Sequence, residues 1–377
     1  MTAGARGPAL VLLVGVGTLV VFAGAAGAGP AVAGPAVAGA VDAGPMDGDA
    51  VRLLQRAALA AREQPFAGTE FVSSWSRGVT TSAVVDVAHL PGQGSFVQVR
   101  PSSSGTPATV FEADAAGDPD DARAGAGPAL DSSAIRLLSG HYDVTVTGTA
   151  SCAGHQAAVI EASRLTTGGG LAGRFWVDRD SGLVLRRELF DATGRTVRAS
   201  AFVAIDVDAA AAASAKVAAA APPPRLLSPT AAKQLRPADL DVLRRDGWTV
   251  PAILPGDLTL YDARGTGDGP GAVVHLSYSD GLATVSVFEQ RGRLGAGGPR
   301  DFAKAAIGGH EVYLRSALPD RVVWAGAGRV FTVVADAAPE TVEAVVGALP
   351  HQASTGGLAA RLHRGVQRVF SWLNPFG

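Results

Sequence analysis

The chain has 377 residues, 47% of them hydrophobic, with a formal net charge of -2. That length and apolar content suffice for two cores of ordinary size, and the near-neutral charge gives no electrostatic footprint for nucleic acid. Cys152 is the only cysteine, so an intramolecular disulfide and a thiolate zinc cluster are excluded.

Arg6 precedes the apolar run Ala9 to Ala28, which is followed by small-residue sites. A basic start, an apolar run and small residues make a secretory signal. Two fates are open for it, cleavage or retention as an anchor, since the run approaches the ~20 residues that span a bilayer. Either fate places the rest outside the cytoplasmic membrane. Residues 1–28 are therefore assigned to a signal peptide or N-terminal anchor. Residues 29–49, with the repeat GPAVAGPAVAG, form a flexible lead.

A first domain is expected over residues 50–208. Val51, Leu54, Ala58 and Ala61 recur at helical spacing with arginines between them, an amphipathic helix that closes near Pro65. Strand-like segments follow: GTEFVSSWS, TSAVVDVAHL, GSFVQVRP, HYDVTVTGTASCAG, HQAAVIEASRL, GRFWVDRDSGLVLRRELFDATG and RTVRASAFVAIDV. Their turn-broken spacing is that of an antiparallel meander. The polar, acidic stretch around Asp118 to Asp121 reads as a loop. Residues 209–234 are an Ala/Pro-rich linker.

A smaller α+β domain is expected over residues 235–350. It opens on the short helix PADLDVLRRDGW and ends on APETVEAVVGALP, with Val342, Val345, Val346 and Leu349 on one stripe. In the tail, residues 351–377, a basic amphipathic helix carries Arg361, Arg364, Arg368, Phe370 and Trp372. That composition suits contact with a membrane surface, and a helix docked on its own protein has the same pattern.

The richest stretch for chemistry is VVHLSYSDGLATVSVFEQ, residues 273–290, with His275, Ser277, Ser279, Asp280 and Ser286. With Asp280-Gly281 as a two-residue type I′ loop, Ser279 faces Leu282; counting outward, Tyr278 with Ala283, Leu276 with Val285 and Val274 with Val287 then share one side of the ribbon. That side is apolar, whereas Ser277, His275 and Ser286 fall on the other, solvated side. No G-x-S-x-G elbow surrounds these serines, so the stretch is expected to be a hairpin and not a hydrolase site.

DRDSG (Asp178 to Gly182) mimics the start of a calcium loop but lacks a third acidic ligand and has Leu189 at the twelfth position. The seven histidines show no metal-ligand spacing. No metal or cofactor is expected. Phe66, Phe71 and Trp75 in one early segment, and Phe175 with Trp176 in a later one, pack a core or wall an apolar cavity.

Several of these segments resemble the MucB/RseB family, extracytoplasmic regulators of envelope-stress sigma factors. WTVPAILPGDLTLYDA, VVHLSYSDGLATVSVFEQ and AIGGHEVYLRS look like its C-terminal domain. LLQRAALAAREQPFAGTEFVSSW looks like its opening helix and first strand. GRFWVDRDSGLVLRRELFDATGRTV also resembles lipoprotein carriers of the LolA-like group.

The resemblance implies an α+β protein, a large antiparallel half-barrel sheet enclosing helices plus a smaller α+β C-terminal domain, without catalytic activity. It implies a membrane-spanning anti-sigma factor as partner, bound through its extracytoplasmic segment and shielded from proteolysis, and a lipid or lipoprotein as ligand. Phe66, Phe71, Trp75, Phe175, Trp176, Tyr278 and Phe288 are the residues expected to meet lipid or partner. The alternative is a lipid or lipoprotein carrier of the cell envelope. The linker, the acidic loop and the tail have no counterpart in the resemblance.

Overall fold

A computed structural model describes residues 48–77, 79–91, 94–100, 110–112, 132–166, 169–212, 233–266, 272–295, 298–316 and 318–351. The signal or anchor segment, almost all of the lead, the acidic loop, most of the linker and the tail residues Arg361, Arg364, Arg368, Phe370 and Trp372 lie outside the described residues.

Two antiparallel nine-stranded sheets carry the fold. The first is preceded by α1 (Gly48–Glu63), whose apolar stripe buries Ala50, Leu54, Ala57 and Ala58. Then come β1 (Phe66–Ser76), β2 (Val79–Leu90), β3 (Gly94–Val99) and β4 (Val110–Glu112). A second helix, α2 (Ser132–His141), leads into β5 (Tyr142–Cys152), β6 (His155–Arg164), β7 (Leu171–Asp178), β8 (Val184–Phe190) and β9 (Thr196–Val207). The spatial order β4-β3-β2-β1-β9-β8-β7-β6-β5 is two meanders joined where the first strand meets the last.

The sheet does not close into a barrel. It curls around the helices, so that Leu54 of α1 and Ile135 and Leu138 of α2 share one core with Tyr142, Val144, Ile160 and Phe175. The expected half-barrel enclosing helices is therefore the architecture found. Helix α2 is an addition to the expected elements: its ten residues carry only two buried apolar side chains, Ile135 and Leu138, too few to stand out as a periodic stripe.

The second sheet follows α3 (Pro237–Arg245), with β10 (Lys233–Gln234) just before it. Its remaining strands are β11 (Ile253–Leu254), β12 (Leu258–Thr266), β13 (Val273–Ser279), β14 (Thr284–Arg291), β15 (Ala303–Ile307), β16 (His310–Arg315), β17 (Asp320–Gly326) and β18 (Arg329–Asp336). Helix α4 (Pro339–Ala348) closes the domain, burying Val342, Val345 and Val346 as the stripe predicts. Tyr278, Leu276, Val285, Val287, Trp324 and Phe331 lie in its core. This is the smaller α+β domain expected.

One buried ion pair ties the start of this domain to its sheet. The Arg329 guanidinium lies 3.0 Å from the fully buried Glu289 carboxylate, over the ring of Trp248 at 4.5 Å, and donates to the carbonyl oxygens of Asp246 and Gly247. The Thr249 amide donates to the other Glu289 oxygen at 2.8 Å. Burial pushes the Glu289 carboxyl up to about 6, against the pull of that amide and of Arg329. Removing the carboxylate leaves the guanidinium buried and unpaired, so Glu289→Ala is expected to lower the stability of this domain by about 3 kcal/mol. Thermal unfolding followed by Trp fluorescence checks it.

Candidate functional site at the seam of the two domains

The stretch that looked richest in chemistry lies where the two domains meet. Its register differs from the expected one: Ser279 pairs with Thr284, Tyr278 with Val285, Ser277 with Ser286 and His275 with Phe288. The loop is thus Asp280 to Ala283, two residues longer than the type I′ turn expected from Asp-Gly. Asp280 itself explains the lengthening. Its Oδ1 accepts from the amides of Leu282 (2.8 Å) and Ala283 (2.7 Å), while Ser279 Oγ accepts from the Gly281 amide and donates to the Ala283 carbonyl. Side-chain capping replaces the tight backbone turn.

A slip of two residues preserves which side chains share a face. The apolar side is buried as expected, but the serine side is not solvated: Ser277, Ser279 and Ser286 are buried and His275 is half-buried. His275 stacks on Phe288 at 4.2 Å. Its Nε2 lies 3.1 Å from Ser286 Oγ and 3.3 Å from Ser277 Oγ. Burial, reinforced by Arg264, drives the imidazole down to about 4. The ring is therefore neutral at pH 7. Asp280, the acid that a hydrolase would aim at this imidazole, is engaged with the loop amides and with the other domain.

The loop tip enters the half-barrel. Asp280 Oδ2 accepts a 2.6 Å hydrogen bond from the hydroxyl of Tyr142 at the start of β5; burial first, and then the Asp280 charge, hold that phenol above its ordinary range. Leu282 is 4% exposed and belongs to the core built by α1, α2 and the first sheet. Two glycines make the approach possible. A Cβ on Gly281, whose φ is +96°, would lie 2.1 Å from the Leu138 amide nitrogen, and one on Gly173 would lie 2.7 Å from Leu282 Cδ2.

Charge surrounds this apolar contact. Arg187 on β8 donates to the Leu282 carbonyl and lies 3.0 Å from the Asp336 carboxylate at the end of β18. Arg198 on β9 pairs with the same carboxylate. Burial alone would raise the Asp336 pKa, but Arg198 and Arg187 hold it below the ordinary value. At the rim, the Ala192 amide donates to Glu340 at 3.2 Å and Arg77 pairs with Glu343 at 3.2 Å.

Glu70 on β1 is a further charged group of this wall. Burial pushes its carboxyl up to about 7, against a hydrogen bond from Ser200 and the charge of Arg187. By register, Glu70, Val72, Ser200, Arg187 and Phe175 share a face of the first sheet.

The seven aromatics singled out from the sequence do not form one wall. Phe175 lies in the core that receives Leu282, and Phe66 stacks on His89 at 5.6 Å. Phe71 and Trp75 stand exposed, four residues apart on one face of β1. On that face the register places Arg186, Ala201 and Phe71 in one row with Trp176, and Trp176 is buried between the guanidinium groups of Arg174 and Arg186. Tyr278 sits in the C-terminal core and Phe288 lies against His275. Of the seven, the structure brings Phe175 to the seam. The residues that sequence reasoning missed there are Tyr142, Arg187, Arg198 and Asp336; no spacing links them, because they converge from four separate strands. Among the described residues no group of three His, Cys, Asp or Glu side chains could hold a metal ion.

Residues 109–225 match the family described as the MucB/RseB N-terminal domain. This part of the chain is similar to that domain. The match includes the segment from Gly173 to Val197 that carried the carrier-like resemblance, whereas the hairpin of residues 273–290 falls outside it. No curated protein matches the chain by sequence. Among solved structures, MucB in complex with MucA(peri) is similar at 20% identity over 81% of this chain and 100% of that chain, with a TM-score of 0.44. The MucA/MucB complex of Pseudomonas aeruginosa has 20% identity over 81% and 100%, TM-score 0.39. LprF from Mycobacterium bovis has 12% identity over 42% and 93%, TM-score 0.26.

Two outcomes follow from the seam. Leu282→Ala deletes its apolar contact and is expected to cost about 2–4 kcal/mol in global unfolding, read by denaturant titration. Glu70 has a raised folded pKa, about 7 against an ordinary 4.5, so the folded state binds its proton more tightly and stability falls as pH rises from about 4.5 to about 7. Glu70→Gln is expected to remove that slope in melts across this range. His275, lowered from 6.5 to about 4, contributes stability that is lost as pH falls between those values.

Proposed function

We propose that this protein is a non-enzymatic, extracytoplasmic regulator that binds the outer segment of a membrane-spanning anti-sigma factor and modulates its proteolysis. The observation that carries the reading is the match of residues 109–225 to the MucB/RseB N-terminal domain. The N-terminal apolar run with its preceding arginine supports an exported location.

The seam suits such a role physically. A regulator must hold two states of comparable free energy and bind its partner better in one of them. Here each domain has a core of its own, and they meet through the inserted loop tip with Leu282, one phenol–carboxylate hydrogen bond, the ion cluster on Asp336 and polar contacts at the rim. Lipid is proposed as the second input, meeting Phe71 and Trp75, the members of the aromatic set that stand exposed on β1, and the tail arginines with Phe370 and Trp372 as a contact with the membrane surface. For a carrier, the interior now filled by α1, α2 and Leu282 would have to empty to admit an acyl chain.

The test is a pull-down and calorimetric titration of the full chain with the extracytoplasmic segment of a membrane anti-sigma factor encoded beside this gene, combined with a protease-protection assay of that segment. Saturable binding and slower cleavage are expected. No association with or without added envelope lipid would end this reading. A stoichiometric lipid retained in native mass spectra would favour the carrier.

A further inference from the structure

The hairpin tip sits in the half-barrel as a ligand sits in a site. Each of its chemical features has a receiving group in the N-terminal domain. The Asp280 carboxylate takes the Tyr142 hydroxyl at 2.6 Å. Gly281 lies against the backbone of α2, with no room for a side chain. The Leu282 side chain fills an apolar recess whose space is left by Gly173. The Leu282 carbonyl accepts from Arg187.

These contacts read a short sequence, carboxylate, glycine, aliphatic, in a turn conformation that the Asp280 carboxylate itself caps. The recess belongs to the N-terminal domain, whereas the tip belongs to a domain whose sheet shares no strand with it. Withdrawal of the tip therefore does not require either sheet to unfold.

We propose that this recess is a peptide-recognition site for a turn bearing a carboxylate followed, two residues on, by a leucine-sized side chain, and that the chain's own Asp280–Leu282 tip occupies it in cis. The tip is then an intrasteric competitor: a peptide of the same chemistry gains access only in the fraction of molecules whose seam is open, and its apparent affinity is reduced by that fraction. The site stands apart from the identity of the anti-sigma partner, because its specificity is written in the chain's own sequence.

The probe is a fluorescently labelled synthetic peptide of residues 273–290, and the receiver is the full chain, read by anisotropy. Wild-type protein is expected to bind it weakly. A Leu282→Ala chain, whose resident tip no longer fills the recess, is expected to bind about tenfold more tightly, and adding Tyr142→Phe to that chain is expected to remove most of the gain. A control peptide carrying Asp in place of Leu282 is expected not to bind. Should Leu282→Ala lose its cooperative melt, Asp336→Asn serves as the opened receiver, since it weakens the ion cluster of the seam while leaving Tyr142, Gly173, Arg187 and the tip residues themselves unchanged. Equal binding of both peptides, or no gain in an opened chain that still melts cooperatively, would overturn the proposal.

Discussion

The arrangement of the two domains depends on the insertion of one side chain, Leu282, into a core to which its own sheet does not belong. Everything near it serves that contact. Asp280 caps a four-residue loop that projects the leucine, Gly281 lets the loop lie on α2, Gly173 clears its landing place, and Arg187 takes its carbonyl. Fully burying a leucine is worth about 2–3 kcal/mol. The ions around it add less than their number suggests, since desolvation offsets most of the attraction of buried pairs. The closed arrangement is therefore held by a free energy that a partner with modest preference for one state can overcome.

The charges at the seam are better understood as selecting the docked geometry than as strengthening it. Arg187 and Arg198 both lie on the half-barrel and both meet Asp336. A domain placed elsewhere would leave two desolvated guanidinium groups without a carboxylate, which is costly. Glu70 behind Arg187, whose carboxyl burial pushes up to about 7, carries only part of a negative charge near pH 7 and competes correspondingly less with Asp336 for Arg187. A weak apolar contact and a strict charge match together give a joint that closes in one way and opens without great cost.

Much of this was legible in the sequence. Two α+β units, the meander, α1 and the stripe of α4 all follow from local periodicity and turn residues, because each is a relation between neighbours along the chain. The hairpin of residues 273–290 and the division of its faces follow from alternation, yet its loop is two residues longer than Asp-Gly alone implies, because the Asp280 carboxylate caps the Leu282 and Ala283 amides. The burial of its serine face is not legible, because alternation reports which side chains share a side and not what covers that side. The seam itself was illegible. Tyr142, Arg187, Arg198 and Asp336 are unremarkable strand residues until tertiary structure brings them together. The aromatics were conspicuous by type, and the structure distributes them between both faces of the first sheet and two parts of the second domain.

The central claim is that the tip and its ion cluster couple two otherwise separate cores. A double-mutant cycle between Arg187→Gln and Asp336→Asn, measured by equilibrium unfolding of the full chain, tests it most directly. Coupling across the seam predicts a non-additive term of about 1 kcal/mol or more, with both domains unfolding in one transition in the wild-type chain and in two in the double variant. Additive effects, with the two domains unfolding independently already in the wild type, would contradict it.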